Sequence, residues 1–243
     1  MSILLDKDTK VLVQGITGRE GSLRTAFMKG YGTNVVAGVT PGRGGEEVLG
    51  IPVYDTVREA VKNHGPIDGS VTFIPGPGLK DAVLEAIDAG IKLIIPPVER
   101  VPMHDILEMV AVAERENVRL VGPGCIGIIS SGTSAMGSWV ETRSGQKSSS
   151  GPVGVISRSG GQSGTISWVL KVAGLGISTC VHTGTEPISG QSTNDILPLF
   201  EEDEQTKAVA MFGESGGTLE EEAAETVVSG KFTKPLVVFI AGA

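Results

Sequence analysis

Several things are scarce in this chain of 243 residues. It has only two cysteines, Cys125 and Cys180, which cannot form a disulfide framework, so a reducing compartment is the simpler reading. No apolar run approaches the ~18 residues a membrane-spanning helix needs. The opening Met1-Ser-Ile-Leu-Leu-Asp has no basic segment ahead of a long apolar core, so it does not read as a signal peptide. Positive charge is also short: the formal net charge is -8, which argues against a general nucleic-acid binder. It leaves room for an anionic small molecule held by a few local donors. Aromatics are few, six Phe, two Trp and two Tyr, whereas Gly reaches 35 residues, about twice the usual ~7% share. Hydrophobic residues at 40% and charged residues at 20% match a globular chain rather than a disordered or membrane one. Glycine excess with few aromatics implies many tight turns and close backbone approaches, a composition shared by α/β proteins that hold phosphates and by others that hold none.

Short β-rich runs alternate with helical stretches. Strands are expected at Lys10 to Gln14, Asn34 to Gly38, Ser70 to Ile74, Lys92 to Ile95 and Arg119 to Val121, with helices between them. That spacing describes βαβ units around a parallel sheet with helices on both faces. Residues 128–151 break the rhythm with the small polar clusters Ser130-Ser-Gly-Thr-Ser134 and Ser148-Ser-Ser-Gly151, and read as a linker. A first domain over residues 1–127 and a second over 152–243 follow. In the second, four strands are expected, at Val153 to Ile156, Ser178 to His182, Lys207 to Phe212 and Leu236 to Ile240. Thr218-Leu-Glu-Glu221 has the spacing of a capping box.

Four glycine-rich turns follow strands. Gly15-Ile-Thr-Gly18-Arg-Glu-Gly21 would let a helix N-terminus approach a phosphate, although a plain tight turn explains the same glycines. Gly38-Val-Thr-Pro-Gly-Arg-Gly-Gly45 brings Arg43 beside it, as a phosphate fork or a solvated loop residue. Two such loops at neighbouring strand ends strengthen the phosphate reading. Ser157-Arg-Ser-Gly-Gly161 is a further strand-to-helix anion turn. Gly213-Glu-Ser-Gly-Gly217 presents Glu214, as an orienter, an acid/base group or a solvated turn acid.

Together these segments, with Leu84-Glu-Ala-Ile-Asp-Ala-Gly-Ile-Lys-Leu-Ile-Ile95, resemble the α subunits of succinyl-CoA synthetases, NDP-forming acyl-CoA synthetases, along nearly the whole chain. The resemblance implies a Rossmann-like CoA-binding domain followed by a flavodoxin-like ligase domain. It implies an ATP-grasp β subunit that holds NTP or NDP with Mg, and an α-subunit histidine that carries phosphate between that site and the acyl-CoA site. By matching position, Thr17, Gly18, Arg19, Glu20, Arg43, Pro97, Val98 and Glu99 would line the CoA site. Ser157, Ser159 and Gly160 would receive the phosphate, and Glu214 would orient the histidine ring. A small carboxylic acid, succinate first, is the implied co-substrate, with no metal site, nucleic acid or membrane expected for this chain. A cytoplasmic location is expected, or a mitochondrial matrix for a eukaryotic source.

The sequence also departs from that family. The family's phosphorylated histidine sits in a Gly-His-Ala-Gly-Ala segment shortly after the strand that ends here at Ile240, and no such segment is present, so the second domain is expected to be incomplete at its C-terminus. The three histidines are His64 and His104, expected at the surface, and His182 at a strand end near the second domain's catalytic edge, where a substitute role is open. Gly122-Pro-Gly-Cys-Ile-Gly127 replaces the family's Gly-Pro-Asn-Cys-Pro-Gly, and Gly164 and Thr165 stand where Tyr and Glu are common. The chain alone is therefore expected to bind CoA without phosphorylating itself. The alternatives are a CoA-binding paralogue without phosphoryl transfer and a related acyl-transfer enzyme without phosphohistidine.

Overall fold

A computed structural model describes residues 3–139, 148–216 and 218–242. The first domain carries β1 (Lys10–Gln14), α1 (Arg19–Tyr31), β2 (Asn34–Val39), β3 (Glu47–Val48), β4 (Ile51–Tyr54), α2 (Val57–His64), β5 (Gly69–Thr72), α3 (Gly76–Asp88), β6 (Leu93–Ile95), α4 (Met103–Arg115) and β7 (Arg119–Leu120). Its strands form one sheet in the order β3-β4-β2-β1-β5-β6-β7, parallel except for the β3–β4 pair. From β1 the chain winds outward to β2, then returns past β1 to β5. The reversal leaves a crevice at the carboxyl ends of β1 and β5, where α/β sheets bind ligands. Beneath it Gln14 is 2% exposed with both ends of its amide engaged. Its Nε2 donates to Ala82 O at 2.8 Å, and its Oε1 accepts Ser70 Oγ at 2.9 Å and Thr72 Oγ1 at 3.0 Å. A buried amide is tolerated only when satisfied in this way.

The second domain carries β8 (Gly127–Ser130), β9 (Ser134–Gly137), β10 (Ser150–Ser157), α5 (Gly160–Val172), β11 (Ile177–His182), α6 (Thr193–Glu202), β12 (Ala208–Glu214), α7 (Leu219–Val228) and β13 (Leu236–Ala241). The sheet order β13-β12-β10-β11-β8-β9 puts the second reversal between β10 and β12. Ser157 and Glu214 end those two strands, so the same winding rule builds a second crevice there.

Residues 128–137 are not linker. They form the hairpin β8–β9, which pairs antiparallel with β11 and extends the second sheet to six strands among the described residues, against four expected. Ile128, Ala135 and Met136 are fully buried, so both faces of the hairpin are covered and no alternation shows in the sequence. β10 likewise begins at Ser150, inside the supposed linker, while residues 140–147 lie outside the described residues. β3 and β4 also add to the strands expected of the first domain.

One core cluster runs through both domains, from Val11, Val13 and Val71 to Ile128, Met136, Ile156 and Phe200. Thr33 ties them further. Its Oγ1 donates to Ala135 O at 2.6 Å and accepts Ala135 N–H at 3.0 Å, with Thr33 only 6% exposed. The capping box expected at Thr218 is absent, because the Thr218 hydroxyl donates to Glu222 Oε1 at 2.6 Å instead. Helix α6 has the reciprocal arrangement, with the Asp195 carboxylate accepting Ser192 N–H at 2.8 Å.

Candidate functional site

The first crevice is built by the turn between β1 and α1. Gly15 takes a φ of +80°, and a Cβ on Gly21 would meet Gly15 O at 2.1 Å, so both glycines are required for the helix to start this close to the strand. Gly18 caps α1 without a side-chain hydrogen bond, and Glu20 adds its carboxylate to the first turn. The N–H groups of Arg19 and Glu20 have no protein partner among the described residues, and both residues are exposed. An uncapped helix N-terminus with free donors is an anion-accepting feature. Thr17 Oγ1 lies 3.1 Å from Thr40 Oγ1, and Gly15 N–H donates to Val39 O at 2.7 Å, so the first two glycine-rich loops are held side by side.

Arg43 stands in the second loop, half exposed, with its guanidinium forked onto Glu46: Nε donates to Oε1, and Nη2 donates to Oε2 at 2.8 Å. The hydrogen bonds to Glu46 push the Arg43 pKa up and the Glu46 pKa down. That fork uses two of the five guanidinium N–H donors, so a ligand phosphate would meet the remaining Nη hydrogens or compete with Glu46 for the fork. Pro97, Val98 and Glu99 follow β6 on the far side of the crevice, where Val98 O accepts Gly124 N–H at 2.9 Å and Glu99 is exposed.

In the second crevice, Ser157 is fully buried and its hydroxyl is spent on the turn itself. It donates to Ser159 O at 2.8 Å and accepts Ser159 N–H at 3.0 Å. Ser159 caps α5, its Oγ accepting Gln162 N–H at 3.4 Å. Among the described residues this leaves the N–H groups of Gly160 and Gly161 without a protein partner. Glu214 is half-buried at the end of β12, across the reversal from that turn, while Gly217 lies outside the described residues. A cavity of about 560 Å³ opens beside Arg158 of that turn, lined also by Thr185, Ile188, Ser189, Ser192 and Thr218.

His182 does not substitute for a phosphate-carrying histidine. It is 2% exposed and both ring nitrogens are engaged: Nδ1 accepts Ile126 N–H at 2.8 Å, so Nε2 carries the proton that it donates to Arg158 O at 3.0 Å. Burial pulls its pKa below the ordinary value, outweighing the bond to Arg158. The residue is a neutral strut beneath the Ser157–Gly161 turn. His64, expected at the surface, is only partly exposed, with Nε2 2.9 Å from Tyr54 Oη, whereas His104 is exposed on α4.

Residues 6–96 match the family described as CoA binding domain, and residues 150–243 match the succinyl-CoA ligase like flavodoxin domain. Over 242 residues the chain is 47% identical to succinate–CoA ligase [ADP-forming] subunit alpha 2 of Archaeoglobus fulgidus, covering all of this chain and 82% of that protein. The chain belongs to the succinate–CoA ligase α-subunit family. Another relative is the ADP-forming sulfoacetate–CoA ligase subunit of an Acholeplasma species, 44% identical over 245 residues, covering all of this chain and 81% of that protein. Both relatives are subunits of ADP-forming CoA ligases, so an acid–CoA ligase activity is supported while the acid is left open. The fold is also that of ATP citrate lyase from Methanothrix soehngenii, solved with citrate and coenzyme A, at a TM-score of 0.89 and 24% identity, covering 99% of this chain and 42% of that one. Among the described residues no helix is long and apolar enough to cross a membrane.

Sequence reasoning missed the residue that joins the two sides of the second crevice. Glu220 Oε1 accepts the N–H of Glu214 at 3.0 Å and lies 3.6 Å from Arg158 Nη1. The sequence shows three successive acids, Glu220, Glu221 and Glu222, and nothing in their order marks the one that turns inward.

Proposed function

We propose that this chain is the α subunit of an acid–CoA ligase that interconverts acid, CoA and a nucleoside triphosphate with acyl-CoA, nucleoside diphosphate and phosphate. An ATP-grasp β subunit would hold the nucleotide with Mg²⁺. In this reading the first crevice takes CoA. The Thr17–Glu20 segment offers N–H groups and helix charge to its phosphates, Arg43 offers its guanidinium to a phosphate, and Pro97 to Glu99 border the other side. The second crevice takes a phosphorylated histidine. The N–H groups of Gly160 and Gly161 receive the phosphate over the turn that Ser157 and Ser159 shape, and the Glu214 carboxylate orients the ring. That histidine is none of His64, His104 and His182, since His182 has both nitrogens bonded and the other two lie in the first domain.

The observation that carries this reading is the pairing of two helix N-termini, α1 and α5, each with free N–H groups at the reversal point of its own sheet. A pure CoA binder would need one. Succinate is the first choice of acid, and the likeness to a sulfoacetate–CoA ligase subunit supports a second small dianion. The test is the gene-encoded chain co-purified with its ATP-grasp partner and supplied with ATP, CoA and either acid. ADP, phosphate and acyl-CoA should form, with the higher kcat/KM for succinate. A preference for sulfoacetate would reassign the acid, and no ADP with any acid would refute the ligase reading.

A further inference from the structure

Glu220 lies in the first turn of α7, directly after the Glu214 loop. Its neighbours Glu221 and Glu222 are exposed, and Glu222 is occupied by Thr218 at 2.6 Å and Asn194 at 2.9 Å. The Glu220 side chain is instead 10% exposed, facing an Arg158 side chain that is 12% exposed. Gly213 makes the room, since a Cβ there would meet Glu220 Oε1 at 2.7 Å. A single carboxylate oxygen thus touches both strand ends of the second crevice: the phosphate turn through the Arg158 guanidinium, and the Glu214 loop through its backbone N–H. The rest of the Arg158 residue is fixed as well, with its N–H on Phe212 O at 3.2 Å and its carbonyl bonded by His182. Taking two charges out of water to make a pair is a poor way to gain stability. It is a good way to set a distance, because neither partner can leave without stranding the other.

We propose that Glu220 is a positioning residue for phosphoryl transfer. It holds the Glu214 carboxylate and the Ser157–Gly160 turn at one separation, so that a histidine ring is gripped on one side while its phosphate is received on the other. The proposal rests on the reading of Glu214 as the ring's orienter. Glu220 itself touches neither the ring nor the phosphate.

The test uses the gene-encoded chain in complex with its ATP-grasp partner. Glu220→Ala should lower kcat by about thirtyfold or more while the KM for CoA stays within about twofold, since the first crevice is untouched. Glu220→Gln keeps an oxygen that can accept the Glu214 N–H and should restore kcat to within about fivefold of the natural protein. In a Glu214→Gln background, Glu220→Ala should cost less than about twofold more, because nothing remains to be positioned. Full additivity in that background, or a kcat for Glu220→Ala within about threefold of the natural protein, overturns the proposal. If Glu220→Ala does not assemble, Glu220→Gln and Glu220→Asp decide it. The shorter Asp loses the reach to Glu214, so its kcat should fall at least about fivefold below that of Gln, and equal rates overturn the proposal. A Glu214→Gln complex that turns over at the natural rate would instead overturn the reading of Glu214. A slow Glu214→Gln beside a fast Glu220→Ala would overturn the positioning role alone.

Discussion

His182 gives its Nε2 proton to the carbonyl oxygen of Arg158, 3.0 Å away, from a ring that is 2% exposed. The ring should therefore show the Nε2–H tautomer by ¹⁵N NMR and stay neutral below its ordinary pKa near 6.5, because burial opposes the charge. The sign for stability follows. As pH falls through about 6.5 the unfolded chain takes up a proton that the folded one refuses, so stability is complete above that pH and declines below it. A Tm that falls from pH 7.5 to 5.5, with a shallower fall in His182→Gln, is the expected result. An Nδ1–H ring, or equal slopes in the two proteins, would count against this strut.

Arg43 and Glu46 hold each other in the second glycine-rich loop, both about half exposed. Such a pair contributes little to folding, so Arg43→Ala should leave Tm unchanged while weakening CoA binding about tenfold by calorimetry. Glu46→Gln removes the competitor and should tighten CoA binding. Affinity unchanged in both variants would remove Arg43 from the site.

Gly21 has no room for a methyl group, since its Cβ would stand 2.1 Å from Gly15 O. Gly21→Ala should force α1 away from the turn and destabilise the chain by about 3 kcal/mol, read by urea unfolding. CoA affinity should fall with it. A loss below about 0.5 kcal/mol would mean that the turn is less tightly built than described.

Thr33→Val keeps the volume of the side chain that joins α1 to the second domain but deletes its hydroxyl. Both Ala135 backbone groups then lose a buried partner, at a cost of about 2–4 kcal/mol. Hydrogen exchange at Ala135 should accelerate more than at Val11 in β1. Equal effects at the two positions would argue that Thr33 supports the fold generally rather than the β8–β9 hairpin.

The parts of the fold that could be read in advance carry strong local signals. Val11-Leu-Val13 running into Gly15, Gly18 and Gly21 marks a strand, a turn and a helix by residue type alone, and the same holds from Val153 to Gly161. The hairpin of β8 and β9 carries no such signal, because Ser130, Gly132, Thr133 and Ser134 are turn-forming residues and the strands beside them are buried on both faces. Site residues divide in the same way. Glycines and Arg43 stand out in sequence, but only packing shows that Ser157 points its hydroxyl into its own turn. Likewise only packing shows that Glu220, rather than Glu221, reaches Glu214. Thr218 and Ser192 both satisfy the capping-box spacing, but the Thr218 hydroxyl is drawn to Glu222 one turn along its own helix, a choice that spacing alone does not show.

Amide chemical-shift mapping of the chain titrated with CoA tests the central claim most directly, because the claim names the backbone N–H groups that meet the ligand. Saturable binding with the largest shifts at Thr17 to Glu20 and Arg43, and little change at Ser157 to Gly161, is the expected result. Saturable binding whose shifts centre elsewhere, or no binding at millimolar CoA, would contradict it.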